Sequence, residues 1–209
     1  MKNKIAGIST TILIAFAILL VSVLRCSNPK FASSTTSYAY SPIVLSETTT
    51  DNRSISIDYA LAYQGKILPD NPLWYLKVLR DKAWLAITFN DAKKADLNLL
   101  FADKRLNASL ELFKNNKPDL GTSTLSKSGK YMEKAGEQAK DNKDLLNKLA
   151  LSSLKHRQVI EDEILPLTPE DLRAEVIKIE NYSKLTYINT KERLLKFGLI
   201  PPENPFKSE

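Results

Sequence analysis

One cysteine and one histidine in 209 residues exclude two kinds of stabilisation. A structural zinc takes four Cys/His ligands, and a disulfide within the chain needs a second cysteine. Glycine is scarce at 6 residues, and aromatics make up only 8% of the chain. A β-sandwich draws on turn glycines and on β-branched and aromatic residues, so this composition argues against one. A strong excess of one charge is also missing from the body of the chain. The net charge is +6, but residues 1–30 carry Lys2, Lys4, Arg25 and Lys30 and no acid. The densest basic stretch, Lys66 to Lys117, interleaves ten basic with six acidic residues. That is the pattern of a solvated helical surface rather than the basic stripe of a nucleic-acid binder. What is present, 43% hydrophobic and 26% charged residues, is ordinary globular composition. The length suits one domain with appendages.

The longest hydrophobic run is Ile5 to Leu24, uncharged and preceded by Lys2 and Lys4. A helix of about twenty residues rises about 30 Å, the thickness of a bilayer core. The run reads as a membrane helix or as a long signal sequence, so residues 1–30 form a signal or anchor segment. Cys26 follows Val23, Leu24 and Arg25. Arg25 beside it argues against lipidation, which wants small residues there. Residues 31–66 contain SSTTS, SETTT and RSIS and read as a polar linker. Near its end Ile55, Ile57, Tyr59 and Leu61 alternate, which predicts either a short strand or a docked segment.

From Asn71 the period becomes helical. Asn71-Pro72 is a start signal, and Leu73, Leu76, Leu79, Ala83 and Ile87 share one face of a first helix ending near Thr88. Trp74, Val78 and Leu85 widen that face. Asn90 caps a second helix, to about Lys114, with Ala92, Ala95, Leu99, Ala102, Leu106, Ser109 and Phe113 in heptad spacing. Lys93, Lys94, Asp96, Asp103, Lys104 and Arg105 are expected on its solvent side. Pro118 opens a third helix, to about Lys140, striped by Leu125, Ser128, Met132 and Ala135; Gly121 and Gly129 each weaken it by roughly 1 kcal/mol relative to Ala. After Asp141-Asn142 a fourth helix aligns Leu146, Leu149, Ser153, His156 and Ile160, and Pro166 stops it. Thr168-Pro169-Glu170-Asp171 starts a fifth, carrying Leu172, Val176, Ile179, Tyr182, Leu194 and Phe197 and ending at Gly198. The expected fold is all-α: an up-and-down bundle of about five helices over residues 67–200, with a tail at 201–209.

Motifs for catalysis or cofactor binding are not met. A di-iron bundle needs Glu-x-x-His on two helices, but Ser153 stands three before His156. Gly129-Lys130 lacks the first glycine, the Ser/Thr and the strand of a phosphate loop. Glu161-Asp162-Glu163 points three ways on a helix, which suits a solvated end better than a cation site. The sequons at Asn52, Asn107 and Asn181 are treated as chance. His156 is either a base or pH-sensing group or, the preferred reading, a packed residue bonded to a carbonyl or carboxylate. No catalytic, cofactor or metal residue is assigned.

Leu68, Pro69, Asp70, Pro72, Leu73, Trp74 or Tyr75, Leu76 and Lys77 form one motif; Ala102, Asp103, Arg105 and Leu106 form a second. Together they resemble a bacterial family, domain of unknown function 5667. Lys127 with Tyr131, and Lys155-His156, extend the likeness, which spans about Ile67 to Ile160. The resemblance implies an exported or membrane-tethered helical domain in bacteria and no reaction.

The expected function is a non-catalytic extracytoplasmic interaction module, tethered to the cell membrane through residues 5–24 or secreted if the leader is cleaved. Its expected partner is an unidentified protein, not nucleic acid, and no cofactor is expected. The alternative is an extracytoplasmic sensor or regulator of envelope signalling. An enzyme using His156 is the third reading.

Overall fold

The computed structural model describes residues 57–206. The apolar run, Cys26, Ile55 and most of the polar linker lie outside the described residues. Within them are five α-helices and no strand: α1 Trp74–Ile87, α2 Asp91–Lys114, α3 Pro118–Gln138, α4 Lys143–Val159 and α5 Glu170–Lys196. The helix starts follow from side-chain chemistry. Asn90 accepts a bond from the Lys93 amide at 3.0 Å and Asn142 one from Leu145 at 3.1 Å, satisfying amides that the first turn leaves unpaired. Asn71 accepts from Leu73 at 2.9 Å, but it caps a turn; the helix proper begins three residues later, at Trp74. Gly198, at φ +69°, closes α5, and Leu199 donates back to Leu194 at 3.0 Å.

Helix α4 does not simply stop at Pro166. Ile160–Ile164 forms a π-helical turn and Leu165–Leu167 a 3-10 turn. Pro166 has no N–H for the carbonyl of Asp162, and its ring crowds that carbonyl, so the helix widens before it. The widened turn keeps both Ile160 and Ile164 inside.

Helices α2 to α5 enclose the core. At one end Ala95, Leu99 and Ala102 of α2 meet Met132 of α3, Leu146 and Leu149 of α4, and Leu194 of α5. At the other, Leu106 and Phe113 meet Leu125, Ile160, Ile164, Val176 and Ile179. Each such buried aliphatic side chain contributes about 1.5–3 kcal/mol. Ile57 and Phe206 are also buried in the first cluster, so packed residues extend beyond 67–200 at both ends. Tyr59 and Leu61 are half-buried: the alternating segment docks on the bundle without forming a strand.

Consecutive helices run in opposite directions, yet α3 packs chiefly on α2 and α5 rather than on α4. Gly129 faces Tyr182 and Gly136 faces Thr186, so α3 and α5 run parallel at close range.

Two expectations are corrected. Leu73, Leu76, Leu79 and Ile87 do not face the core; they are exposed, and Trp74 and Asp81 are the buried positions of α1. Neither core cluster contains an α1 residue. Asp103 and Arg105 are not on a solvent side either; each is 3% exposed. Helix α2 buries Leu97, Phe101, Ala108, Leu110 and Leu112 as well as its heptad positions from Ala95 to Phe113. Its exposed or partly exposed residues Lys93, Asp96, Lys104, Asn107 and Glu111 fall on one narrow side.

Candidate functional site

Three polar clusters lie inside the helical domain. The first centres on Asp103 of α2. Its Oδ1 lies 2.8 Å from His156 Nε2 and accepts a bond from Ser152 Oγ at 3.0 Å; its Oδ2 accepts from the Tyr59 hydroxyl at 2.9 Å. A carboxylate can only accept, so the His156 Nε2 carries the proton in this contact. One side chain thereby ties α2 to α4 and to the segment before α1. Asp103, Ser152 and His156 are all buried. Burial, and then the neighbouring Asp103 charge, raises the Tyr59 hydroxyl well above the usual tyrosine range. Ser152 and His156 both spend their contact on Asp103. A serine nucleophile would instead give its proton to the imidazole.

The second cluster holds α1 to α2. Arg105 Nη2 donates to Asp81 Oδ2 at 3.2 Å, and its guanidinium lies 4.2 Å from the centre of the Trp74 ring. Arg80 bonds the other oxygen of Asp81 at 2.6 Å. Lys77 reaches back to the carbonyls of Gln64 and Ile67 and sits 4.6 Å from the Trp74 ring. Burial, and then repulsion from Arg105, lowers the Lys77 ammonium to about 8. Asp70 pairs with Lys117 at 2.6 Å, which holds its carboxyl below the usual range. Of the two adjacent aromatics, Trp74 is buried in this cluster and Tyr75 is exposed.

The third cluster lies at the π-helical turn. Arg157 bonds Glu161 at 2.6 Å and stacks 4.2 Å from the centre of the Phe206 ring. Glu180 of α5 is buried beside it, 3.5 Å from Arg157 and 3.0 Å from Lys184. Desolvation raises the Glu180 carboxyl; Lys184 opposes this and Glu161 adds to it. The three acids after Ile160 diverge. Glu161 turns to Arg157, Glu163 lies 3.6 Å from Lys114, and Asp162 is exposed. Among the described residues no group of three or more His, Cys, Asp or Glu side chains is arranged to hold a metal.

A cleft of about 340 Å³ opens where the start of α3 meets the start of α5. Ser123, Ser126, Lys127 and Lys130 line it together with the acids Asp119 and Glu175. The charges balance, and His156 is not part of the lining. Asn107, the second sequon, donates to the Ala62 carbonyl at 2.9 Å from within α2, so its amide serves packing.

The sequence located His156 on an apolar face but not the cluster around it. The available signal was the number of apolar residues in α2 beyond its one heptad stripe. They leave only a narrow side for solvent, so some of the charged residues of α2 are buried and must be paired.

These features define the class: an all-α helical domain whose buried polar residues join its helices. Residues 66–169 match the family model described as Domain of unknown function (DUF5667), and the chain belongs to this family. Comparison with curated proteins and with solved structures finds no match.

Proposed function

We propose that this protein is an extracytoplasmic helical interaction module, anchored in the membrane by residues 5–24, that performs no reaction of its own. One observation carries this reading. The family-motif residues Trp74, Asp103 and Arg105, with His156, are spent on holding α1, α2 and α4 together. Residues used to fix relative helix positions serve a shape that another molecule recognises, whereas a catalytic set keeps atoms free to meet a substrate. The placement at a membrane is supported by the uncharged run from Ile5 to Leu24. Among the described residues no helix is long and apolar enough to cross a membrane.

Two measurements test this reading. A reporter active only outside the cytoplasm, fused after Glu209, is expected to be active; a cytoplasmic signal would defeat the export reading. Crosslinking in native membranes is expected to join the bundle to a specific protein. If that partner is a membrane kinase or a regulator of transcription, the role becomes envelope signalling. Hydrolytic or transfer activity lost on His156→Gln without loss of folding would reject the non-catalytic reading.

A further inference from the structure

Helix α1 has two unlike faces. At about 100° per residue, Trp74, Lys77, Val78, Asp81, Trp84 and Leu85 fall on the side that packs against the domain. The other side carries Tyr75, Leu76, Leu79, Ala83, Ala86 and Ile87, all exposed. Tyr75 is 78% exposed, Leu76 and Leu79 64% each, and Phe89, just past the helix, 90%. Arg80 and Lys82 stand on the two edges of this strip, one on each side. Arg80 gives its Nε and Nη2 to one oxygen of Asp81 and keeps about half of its side chain open, at 51%. The only acid of the helix, Asp81, is on the inner face under Arg105. The outer surface of α1 is thus apolar at its centre and cationic at its edges, with no exposed carboxylate.

A soluble monomer rarely leaves a continuous apolar strip uncovered. Self-association is opposed by charge, because two copies meeting on the strip would bring Arg80 and Lys82 of each together with no acid between them. An apolar strip with basic edges and aromatic residues at its ends matches a helix lying in the plane of an anionic bilayer surface. The length fits as well: 14 residues rise about 21 Å, too short to span a bilayer core of about 30 Å. The same chain carries an apolar run only 49 residues upstream, across residues 25–73.

We propose that α1 lays its Tyr75-to-Ile87 strip on the surface of an anionic bilayer, with Arg80 and Lys82 against lipid phosphates. The proposal rests on the reading that residues 5–24 anchor the chain, and it gives the anchored domain a second contact with the same membrane. The bundle is then held in one orientation, with α1 beneath it.

The test uses the full chain with Cys26→Ser and an environment-sensitive fluorophore on Leu79→Cys. The protein is reconstituted into phosphatidylglycerol–phosphatidylethanolamine vesicles containing nitroxide lipids. A second version carries the label on Leu185→Cys, an exposed position of α5. Strong quenching at 79 and little at 185 is expected. Replacing Arg80 and Lys82 with Gln should lower the docking constant about thirtyfold, roughly fivefold for each basic side chain near an anionic surface. Phosphatidylcholine vesicles should weaken docking in the same way. Three results would overturn the proposal: no quenching at 79, equal quenching at both positions, or crosslinking of residue 79 to a second copy or another protein in place of quenching. Carbonate extraction of the same vesicles separates the two readings. A chain that is washed out defeats the anchor, while a retained chain without quenching at 79 defeats only the docking of α1.

Discussion

Gly129 of α3 lies so close to Tyr182 of α5 that a Cβ added there would stand 2.7 Å from Cδ2 and 3.0 Å from Cγ of the ring. Gly136, two turns on, would place a Cβ at an ordinary 3.7 Å from Thr186. By helix propensity alone both positions should gain about 1 kcal/mol from alanine. The contacts separate them. Gly129→Ala should lower stability, because overpacking costs about 1–3 kcal/mol and outweighs the propensity gain. Gly136→Ala should raise it by up to about 1 kcal/mol. Denaturant melts of the two variants decide the matter; stabilisation by Gly129→Ala would mean that α3 and α5 are not in this contact.

The Asp103 carboxylate has three partners, and removing it should cost more than removing any one of them. His156→Gln is expected to lose about 0.5–3 kcal/mol, the common range for single changes. Asp103→Leu should lose about 3 kcal/mol or more, since it leaves buried donors on Ser152, His156 and Tyr59 without an acceptor. Tyr59→Phe should cost about 1 kcal/mol and speed proteolysis within the segment preceding α1. Equal costs for Asp103→Leu and Tyr59→Phe would show that the cluster does not act as a unit.

Asp81 and Arg105 should be coupled. Asp81→Ala should cost about 3–5 kcal/mol, because it strands the buried Arg105 charge, whereas Arg105→Ala should cost less, because Arg80 still pairs with Asp81. The double variant should cost less than the two singles together, with a coupling of about 0.5–3 kcal/mol. Arg105→Lys should not preserve the pair, since an ammonium loses the planar stacking on Trp74. Strict additivity in a double-mutant cycle would separate α1 from α2 energetically.

Glu180 predicts a pH dependence of known sign. Its carboxyl is raised from the ordinary 4.5 in the folded protein, chiefly by desolvation. Above pH 4.5 the unfolded chain releases this proton while the folded protein keeps it. Its contribution to stability is therefore full below 4.5 and is lost as pH rises through the folded value. Glu180→Gln removes that loss. Its melting temperature should match the wild type at pH 4 and equal or exceed it at pH 7. A variant that falls further behind at pH 7 than at pH 4 would mean that Arg157 and Lys184 hold Glu180 ionised.

The helices were readable because their boundaries rest on local chemistry: Asn90, Asn142, Pro118 and Gly198 act through neighbouring amides and backbone angles. The core stripe of α2 was readable for the same reason, since Leu99, Ala102, Leu106 and Phe113 repeat along a single helix. Which face of α1 turns inward was not. Leu76 and Leu79 are more apolar than Asp81, and periodicity alone sends them to the core. Asp81 is buried because Arg105, 24 positions later, pairs with it. The Asp103 cluster was hidden likewise: Tyr59 and His156 stand 44 and 53 positions from Asp103. Gly129 reads as a weakness of α3 until Tyr182 is placed against it.

The family match ends at residue 169, one position before α5 begins. Yet Val176, Ile179, Tyr187 and Leu194 of α5 close both halves of the interior, and Ile57 and Phe206 seal one of them from outside the matched range. The matched segment is therefore smaller than the packed unit. In this chain, α5 is the lid over Leu125, Met132 and Ile164, and it lies wholly outside the match. Expression boundaries drawn at 66 and 169 would isolate an open shell with a greasy interior, and the sequence that follows the match is as much a part of the molecule's architecture as the motifs that define its kinship.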